Sequence, residues 1–172
     1  MIDSLFQPIN FKKWIEENRA SLKPPVGNKL IWENREFIAF VVGGPNTRTD
    51  YHSNGGEEFF YQLEGDIELR ILKDGKRDLI SIKEGDIYLL PARIPHSPRR
   101  PAGTLGLVIE RKRNPGEWDG FIWICEYCDS HLHEERVALV DLVKDLPPIF
   151  DRFYSSLALT TCKQCGKVAA KS

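Results

Sequence analysis

Tyr51-His52-Ser53-Asn54-Gly55-Gly56-Glu57-Glu58-Phe59-Phe60-Tyr61 carries a histidine and a glutamate six residues apart at the mouth of a predicted strand. A second stretch, from Gly85-Asp86 through Pro91 to His96, is punctuated in the same way and supplies another imidazole. Two neutral imidazoles and a carboxylate form a mixed nitrogen and oxygen donor set that suits Fe(II). Three such ligands on one face of an octahedral ion leave three positions open, the arrangement of non-haem iron oxygenases.

Working outward from this stretch, short apolar runs alternate with turn signals from Lys29 to about Arg113. Leu30–Trp32, Phe37–Val42, Glu58–Leu63, Ile67–Leu72, Leu79–Ile82, Ile87–Leu90 and Leu105–Glu110 read as strands. Gly43-Gly44-Pro45-Asn46, Glu64-Gly65-Asp66, Asp74-Gly75 and Glu84-Gly85-Asp86 read as breaks between them. Many short strands at this spacing predict a mostly β fold, a sandwich or small barrel. Before it, Asn10 caps a short amphipathic helix bearing Phe11, Trp14, Ile15 and Leu22, stopped at Pro24-Pro25, and Gly27-Asn28 reads as a turn. After Asn114-Pro115-Gly116, strands are expected at Phe121–Ile124 and Val137–Val140 and a helix start at Asp145 ahead of Pro147-Pro148. The tail from Lys167 is expected to fray. The expected organisation is a barrel with its N-terminal helix over residues 1–113 and a C-terminal extension over 114–172 that completes the fold.

With 172 residues the chain is long enough for one domain with a substantial core. Its net charge of −1, from 24 basic and 25 acidic residues without a long charge block, points away from nucleic acid and anionic membranes. No apolar run is long enough to span a bilayer, and Met1 to Phe11 lacks a signal-peptide pattern, so the expected setting is cytoplasmic.

Alternate residues of a strand share a face, so Arg48, four before His52, and Arg100, four after His96, can point toward the metal if both flanks are extended. A guanidinium fork suits a carboxylate, which points to an anionic substrate whose carboxylate lies away from the chelating atoms; Arg99 is the alternative inward residue. Glu110 ends the apolar run from Leu105, and an acid there is either a proton acceptor for a substrate hydroxyl or a partner of Arg111 or Arg113. Asp50 shares the predicted face of Arg48 and His52.

Cys125-x2-Cys128 and Cys162-x2-Cys165 form a double pair of the kind that binds a tetrahedral zinc or iron ion. Four thiolates close such a site, so its role is structural: it pins a C-terminal segment too small to hold itself by core burial. His131 and His133 are nearby alternatives as ligands.

The punctuation around His52, Glu58 and His96 resembles the two motifs of the cupin family. The first motif is a histidine pair, a glutamate and a glycine, and His52, Asn54, Glu58 and Gly65 occupy those slots. The second is a glycine, a proline, a glycine and a histidine, occupied by Gly85, Pro91, Arg93 and His96. Asn54 stands where a second histidine is usual, which leaves three protein ligands, and Arg93 replaces a turn glycine. Beyond these motifs the chain resembles the bacterial 3-hydroxyanthranilate 3,4-dioxygenase family. The similar stretches are Lys23-Pro24-Pro25-Val26-Gly27-Asn28, Val41-Val42-Gly43-Gly44-Pro45-Asn46, Arg48-Thr49-Asp50-Tyr51-His52, Glu57-Glu58-Phe59-Phe60-Tyr61-Gln62-Leu63, His96-Ser97-Pro98, Val108-Ile109-Glu110-Arg111 and Asp145-Leu146-Pro147-Pro148.

That resemblance implies a cupin β-barrel of jelly-roll type, a homodimer, and catalytic Fe(II) on His52, Glu58 and His96. It implies that Arg48 and Arg100 bind the substrate carboxylate, Glu110 handles its hydroxyl, and Asn28 closes on it. It also implies iron at the four-cysteine site, and O2-dependent ring opening that feeds quinolinate and NAD synthesis or aromatic breakdown. Two other readings stay open on the residues alone: a cupin oxygenase acting on a thiol or catechol, and a non-catalytic cupin that senses a small acid.

Overall fold

The structure is a computed structural model and describes residues 7–23, 27–33, 35–46, 48–139 and 142–170. Helix α1 (Phe11–Asn18) begins where Asn10 Oδ1 accepts from the Lys13 amide at 3.0 Å, and it continues as a 3-10 turn over Arg19–Leu22. The expected stop at Pro24-Pro25 lies outside the described residues.

The strands are β1 (Asn28–Leu30), β2 (Phe37–Gly43), β3 (Tyr51–Ser53), β4 (Glu58–Glu64), β5 (Ile67–Lys73), β6 (Lys76–Ile82), β7 (Ile87–Leu90), β8 (His96–Arg99), β9 (Leu105–Arg111), β10 (Asp119–Ile124) and β11 (His131–Val137). Helices α2 (Leu142–Tyr154) and α3 (Leu157–Thr160) follow. The strands pair antiparallel into two sheets, one in the order β1-β2-β9-β4-β7 and one in the order β11-β10-β3-β8-β5-β6. This is the mostly β, cupin-like barrel expected from the sequence.

The alternation of each strand explains the core. Phe60, Leu90 and Val108 of the first sheet meet Ile67, Leu69, Ile71 and Ile82 of the second. Each such side chain stabilises the fold by about 1.5–3 kcal/mol through loss of apolar surface to water. Ile15 and Leu22 cover Val41 and Leu105 on the outside of the first sheet. A separate cluster of Phe121, Trp123, Leu139, Ile149 and Phe153 docks α2 onto β10, with the Trp123 and Phe153 rings stacked at 4.3 Å. The Asp74-Gly75 hairpin has both residues at positive φ, 52° and 73°, which matches the right-handed twist of its strands.

Some elements differ from expectation. Gly27, at φ 67°, makes the turn alone, and Asn28 already pairs with Val42 in β1, so that strand starts earlier and ends at Leu30. The last strand is His131–Val137 rather than Val137–Val140. It is a polar edge strand held by its ladder to β10, so no apolar run announces it; Leu139 leaves the strand for the core, and Val140 lies outside the described residues. Helix α2 starts at Leu142, which places Pro147 and Pro148 inside it instead of in its first turn; Ile149 and Phe153, both buried, anchor it. The segment from Lys167 to Ala170 is not frayed: Val168 bridges Thr161, the Ala169 amide donates to Thr160, and the Lys167 carbonyl accepts from the Cys162 amide.

Candidate active site

Register brings the site together. His52 of β3 stands directly opposite His96 of β8 in one sheet, and Glu58 of β4 stands opposite Glu110 of β9 in the other. The potential ligand atoms of His52, Glu58 and His96 all lie within 4.8 Å of one another, so the group spans the space between the sheets. Glu58 and His96 are buried, at 7% and 3% exposure. The Nδ1 atom of His96 lies 3.0 Å from the Ile94 carbonyl, which only accepts, so Nδ1 carries hydrogen and Nε2 faces Glu58 at 3.1 Å. Burial disfavours both charges, yet their attraction prevails: Glu58 is held below its ordinary pKa, and His96 is held above its own. Arg93, in the motif's glycine slot, adopts the left-handed φ of 66° that the turn requires.

Asn54 takes a different part from the histidine it replaces. Its Oδ1 accepts from the Gly56 amide at 3.1 Å, which turns Nδ2 toward the carboxylates; Nδ2 donates to Glu110 at 2.9 Å. Glu110 is pushed above its ordinary pKa by burial and by the Glu58 carboxylate, against the opposing pull of Arg113. Of the two arginines expected as partners of Glu110, Arg113 is the one that pairs with it: its Nη1 donates to the carboxylate at 2.7 Å in a buried pair.

Arg113 then reaches Asp119, with Nη2 2.6 Å from Oδ2, and that same Oδ2 lies 2.6 Å from Nε2 of His52. Burial opposes ionisation of Asp119, but the bonds from His52 and Arg113 bring its pKa down to about 2. Phe121 stacks on the His52 ring at 5.1 Å. Sequence spacing points to neither Asp119 nor Arg113 as a partner of His52. The available signal was the alternation Asp119, Phe121, Trp123, which puts an acid on the buried face of β10.

The two arginines fare differently. Arg100 is 3% exposed, and burial draws its pKa down to about 10, with Glu58 pulling the other way. Its Nη1 donates to the neutral Oε1 of Gln62 at 3.1 Å, and no carboxylate bonds it among the described residues. Arg48 is gripped by Asp50, with Nε 2.9 Å and Nη2 2.5 Å from its two oxygens, and it lies 4.5 Å over the Phe150 ring. No described contact joins Arg48 to the metal group. Asn28 is exposed at the start of β1, on the sheet edge, and likewise makes no described contact with the group.

The second group is formed by the cysteines. Cys125 and Cys165 sulfurs are 3.6 Å apart and Cys128 and Cys162 sulfurs 3.5 Å apart, with all four within 4.8 Å. Tetrahedral coordination at 2.3 Å places sulfurs about 3.8 Å apart, so the cluster has the dimensions of a metal knuckle. Bonds from the Ser130 hydroxyl and amide draw Cys128 down to about 6, which favours a thiolate. His133 joins the aromatic core beside Trp123 and Phe153 and bonds Glu135, and His131 lies at the exposed start of β11; neither belongs to the cysteine group.

A two-sheet barrel with two histidines and one glutamate between its sheets has the make-up of a cupin with a candidate metal site. The sequence profile of 3-hydroxyanthranilic acid dioxygenase matches residues 4–154, and the chain belongs to that family. It is 54% identical over 162 residues to the 3-hydroxyanthranilate 3,4-dioxygenase of Xanthomonas euvesicatoria, covering 94% of this chain and 92% of that protein. It is 48% identical over 163 residues to the Bacillus cereus protein of the same name, covering 94% and 91%. Among solved structures, a cupin-2 domain protein from Shewanella frigidimarina aligns with 60% of this chain and 94% of its own, at 18% identity and a TM-score of 0.49.

Proposed function

We propose a division of labour among these residues for the ring-opening dioxygenation of 3-hydroxyanthranilate, the reaction that names the family and its relatives. His52, Glu58 and His96 would hold Fe(II), because two imidazoles and a carboxylate retain that ion while leaving positions free. Bound there, Fe(II) supplies the open coordination positions and one-electron chemistry through which dioxygen reacts with an electron-rich ring.

The observation that carries the substrate reading is Arg100: a buried cation, bonded by a neutral amide, beside the metal group. A carboxylate on the ring supplies its missing counter-charge and orients the ring. Arg48 offers Nη1, the atom outside its fork on Asp50, as a second contact. Glu110 takes the phenolic proton, since a carboxylate held above its ordinary pKa is a better base near neutral pH. Asn54 and Arg113 hold Glu110 for that task. Asn28, through its match to the family's loop asparagine, closes over the bound ring. Both oxygen atoms of O2 enter the product, 2-amino-3-carboxymuconate semialdehyde.

The four-cysteine group would hold iron or zinc as a structural clamp, making residues 114–172 an extension that completes the barrel of 1–113. Four free cysteines gathered into one metal-type group fit a reducing, cytoplasmic setting. No helix among the described residues is long and apolar enough to cross a membrane. A homodimer is supported by apolar side chains on the outward face of the first sheet: Phe37, Tyr61, Ile87 and Leu89 are 65%, 36%, 67% and 53% exposed.

The test is direct. Protein loaded anaerobically with Fe(II) is mixed with 3-hydroxyanthranilate and then with air; oxygen uptake with a near-ultraviolet spectral change is expected. Uptake with a thiol or an acid-free catechol, and none with 3-hydroxyanthranilate, would overturn the reading.

A further inference from the structure

Gln62 is buried at 1% exposure on the same face of β4 as Glu58. Its Nε2 donates to the carbonyls of Glu64 at 3.0 Å and Gly65 at 2.8 Å. Carbonyl oxygens only accept, so these two bonds fix which way the amide faces. Oε1 must then point at Arg100, whose Nη1 it meets at 3.1 Å. Across the β4–β9 ladder, Gly106 lies opposite Gln62. A Cβ at Gly106 would sit 2.6 Å from Arg100 Nη1, 3.0 Å from Nη2 and 2.9 Å from Gln62 Oε1. The guanidinium therefore rests in the space that a missing side chain leaves.

From this juxtaposition we infer that Gln62 and Gly106 are positioning residues that set the selectivity of the site for a carboxylate-bearing ring, by placing Arg100 without neutralising it. The inference rests on the reading of Arg100 as the carboxylate-binding residue. Glutamine aligns the fork and leaves its charge for the ligand; a glutamate there would occupy the fork and compete with the substrate's acid. Glycine at 106 lets the guanidinium lie flat against β9; any side chain lifts it. The atoms that an alanine methyl meets are side-chain ends and not backbone, so Gly106→Ala is expected to displace the guanidinium without a clash against the strands.

The test measures anaerobic binding to Fe(II)-loaded protein of two probes, 3-hydroxyanthranilate and 2-aminophenol, the same ring without its carboxylate. Gly106→Ala and Gln62→Glu are expected to weaken binding of the acid about tenfold or more. Binding of 2-aminophenol is expected to stay within about twofold, with iron content unchanged. In turnover, KM for the acid rises while kcat is largely kept, and Gln62→Asn does not restore the wild-type KM because the shorter amide cannot reach both carbonyls and Arg100. Equal weakening of both probes, or no weakening of either, overturns the inference. Arg100→Met tests the underlying reading separately: it is expected to weaken the acid alone. If it leaves the acid's binding unchanged, that reading falls; if it is selective while Gly106→Ala and Gln62→Glu are not, only the inference falls.

Discussion

Asp119 Oδ2 lies 2.6 Å from His52 Nε2, in a carboxylate wholly removed from solvent. If the metal is held by Nδ1 of His52, a carboxylate on Nε2 fixes the ring, and the loss of such a partner typically weakens metal binding about 10–100-fold. Asp119→Asn is expected to lower iron affinity by that order, read by competition with a chelator, while the cysteine-bound metal is retained. Unchanged affinity would show that the stack on Phe121 alone holds the ring.

Arg113 is the only described side chain that bonds both Glu110 and Asp119, and it is 10% exposed. Removing it leaves two buried carboxylates without their cation. Arg113→Met is expected to destabilise the protein by about 3–5 kcal/mol in urea unfolding, the usual cost of breaking a buried pair from one side. Arg113→Lys should recover only part of this, because an ammonium cannot reproduce a fork shared between two acids. Full recovery by lysine would mean that charge alone matters there.

How far these features were legible beforehand follows from where their partners lie. His52, Glu58, His96 and the cysteine pairs announce themselves by local spacing, and the β4, β5 and β7 runs by β-rich composition between glycine turns. Asp119 is 67 residues from His52, and Gln62 is 38 from Arg100. Register between β3 and β10 makes the first pair neighbours, and the packing of one sheet on the other makes the second, so neither contact is a property of a single segment. The same reason hid β11, whose polar residues pair along an edge instead of filling a core. Arg48 shows the converse case: spacing aligned it with His52, but Asp50, two residues away, captured most of its fork first.

Glu135 links β11 to α2 through Arg152 Nη2 at 2.5 Å. Burial raises its pKa, but the Arg152 and His133 bonds outweigh burial, and the net shift is downward. A carboxylate with a depressed folded-state pKa stabilises the fold above its unfolded value, near 4.3, and that contribution is lost as pH falls through the lower folded value. Glu135→Gln is therefore expected to lower stability at pH 7 and to flatten the stability profile below about pH 4.5. An unchanged acid limb would place the acid sensitivity elsewhere.

The cysteine cluster joins the knuckle after β10 to the chain beyond α3, so a metal held there would tie together segments about forty residues apart, as Cys125 and Cys165 are. Cys128→Ser is expected to lose that metal and to loosen α2 and α3, seen as faster amide exchange over 142–170, while iron at the barrel site remains. Unchanged exchange would remove the structural role.

We hold that the barrel site and the cysteine site are separate and that only the first performs the chemistry. Metal content per chain of Glu58→Ala, measured beside oxygen uptake with 3-hydroxyanthranilate, tests it most directly. Loss of the barrel metal, retention of the cysteine-bound metal and no oxygen uptake are expected. Loss of both metals together, or uptake that persists without the barrel metal, would contradict it.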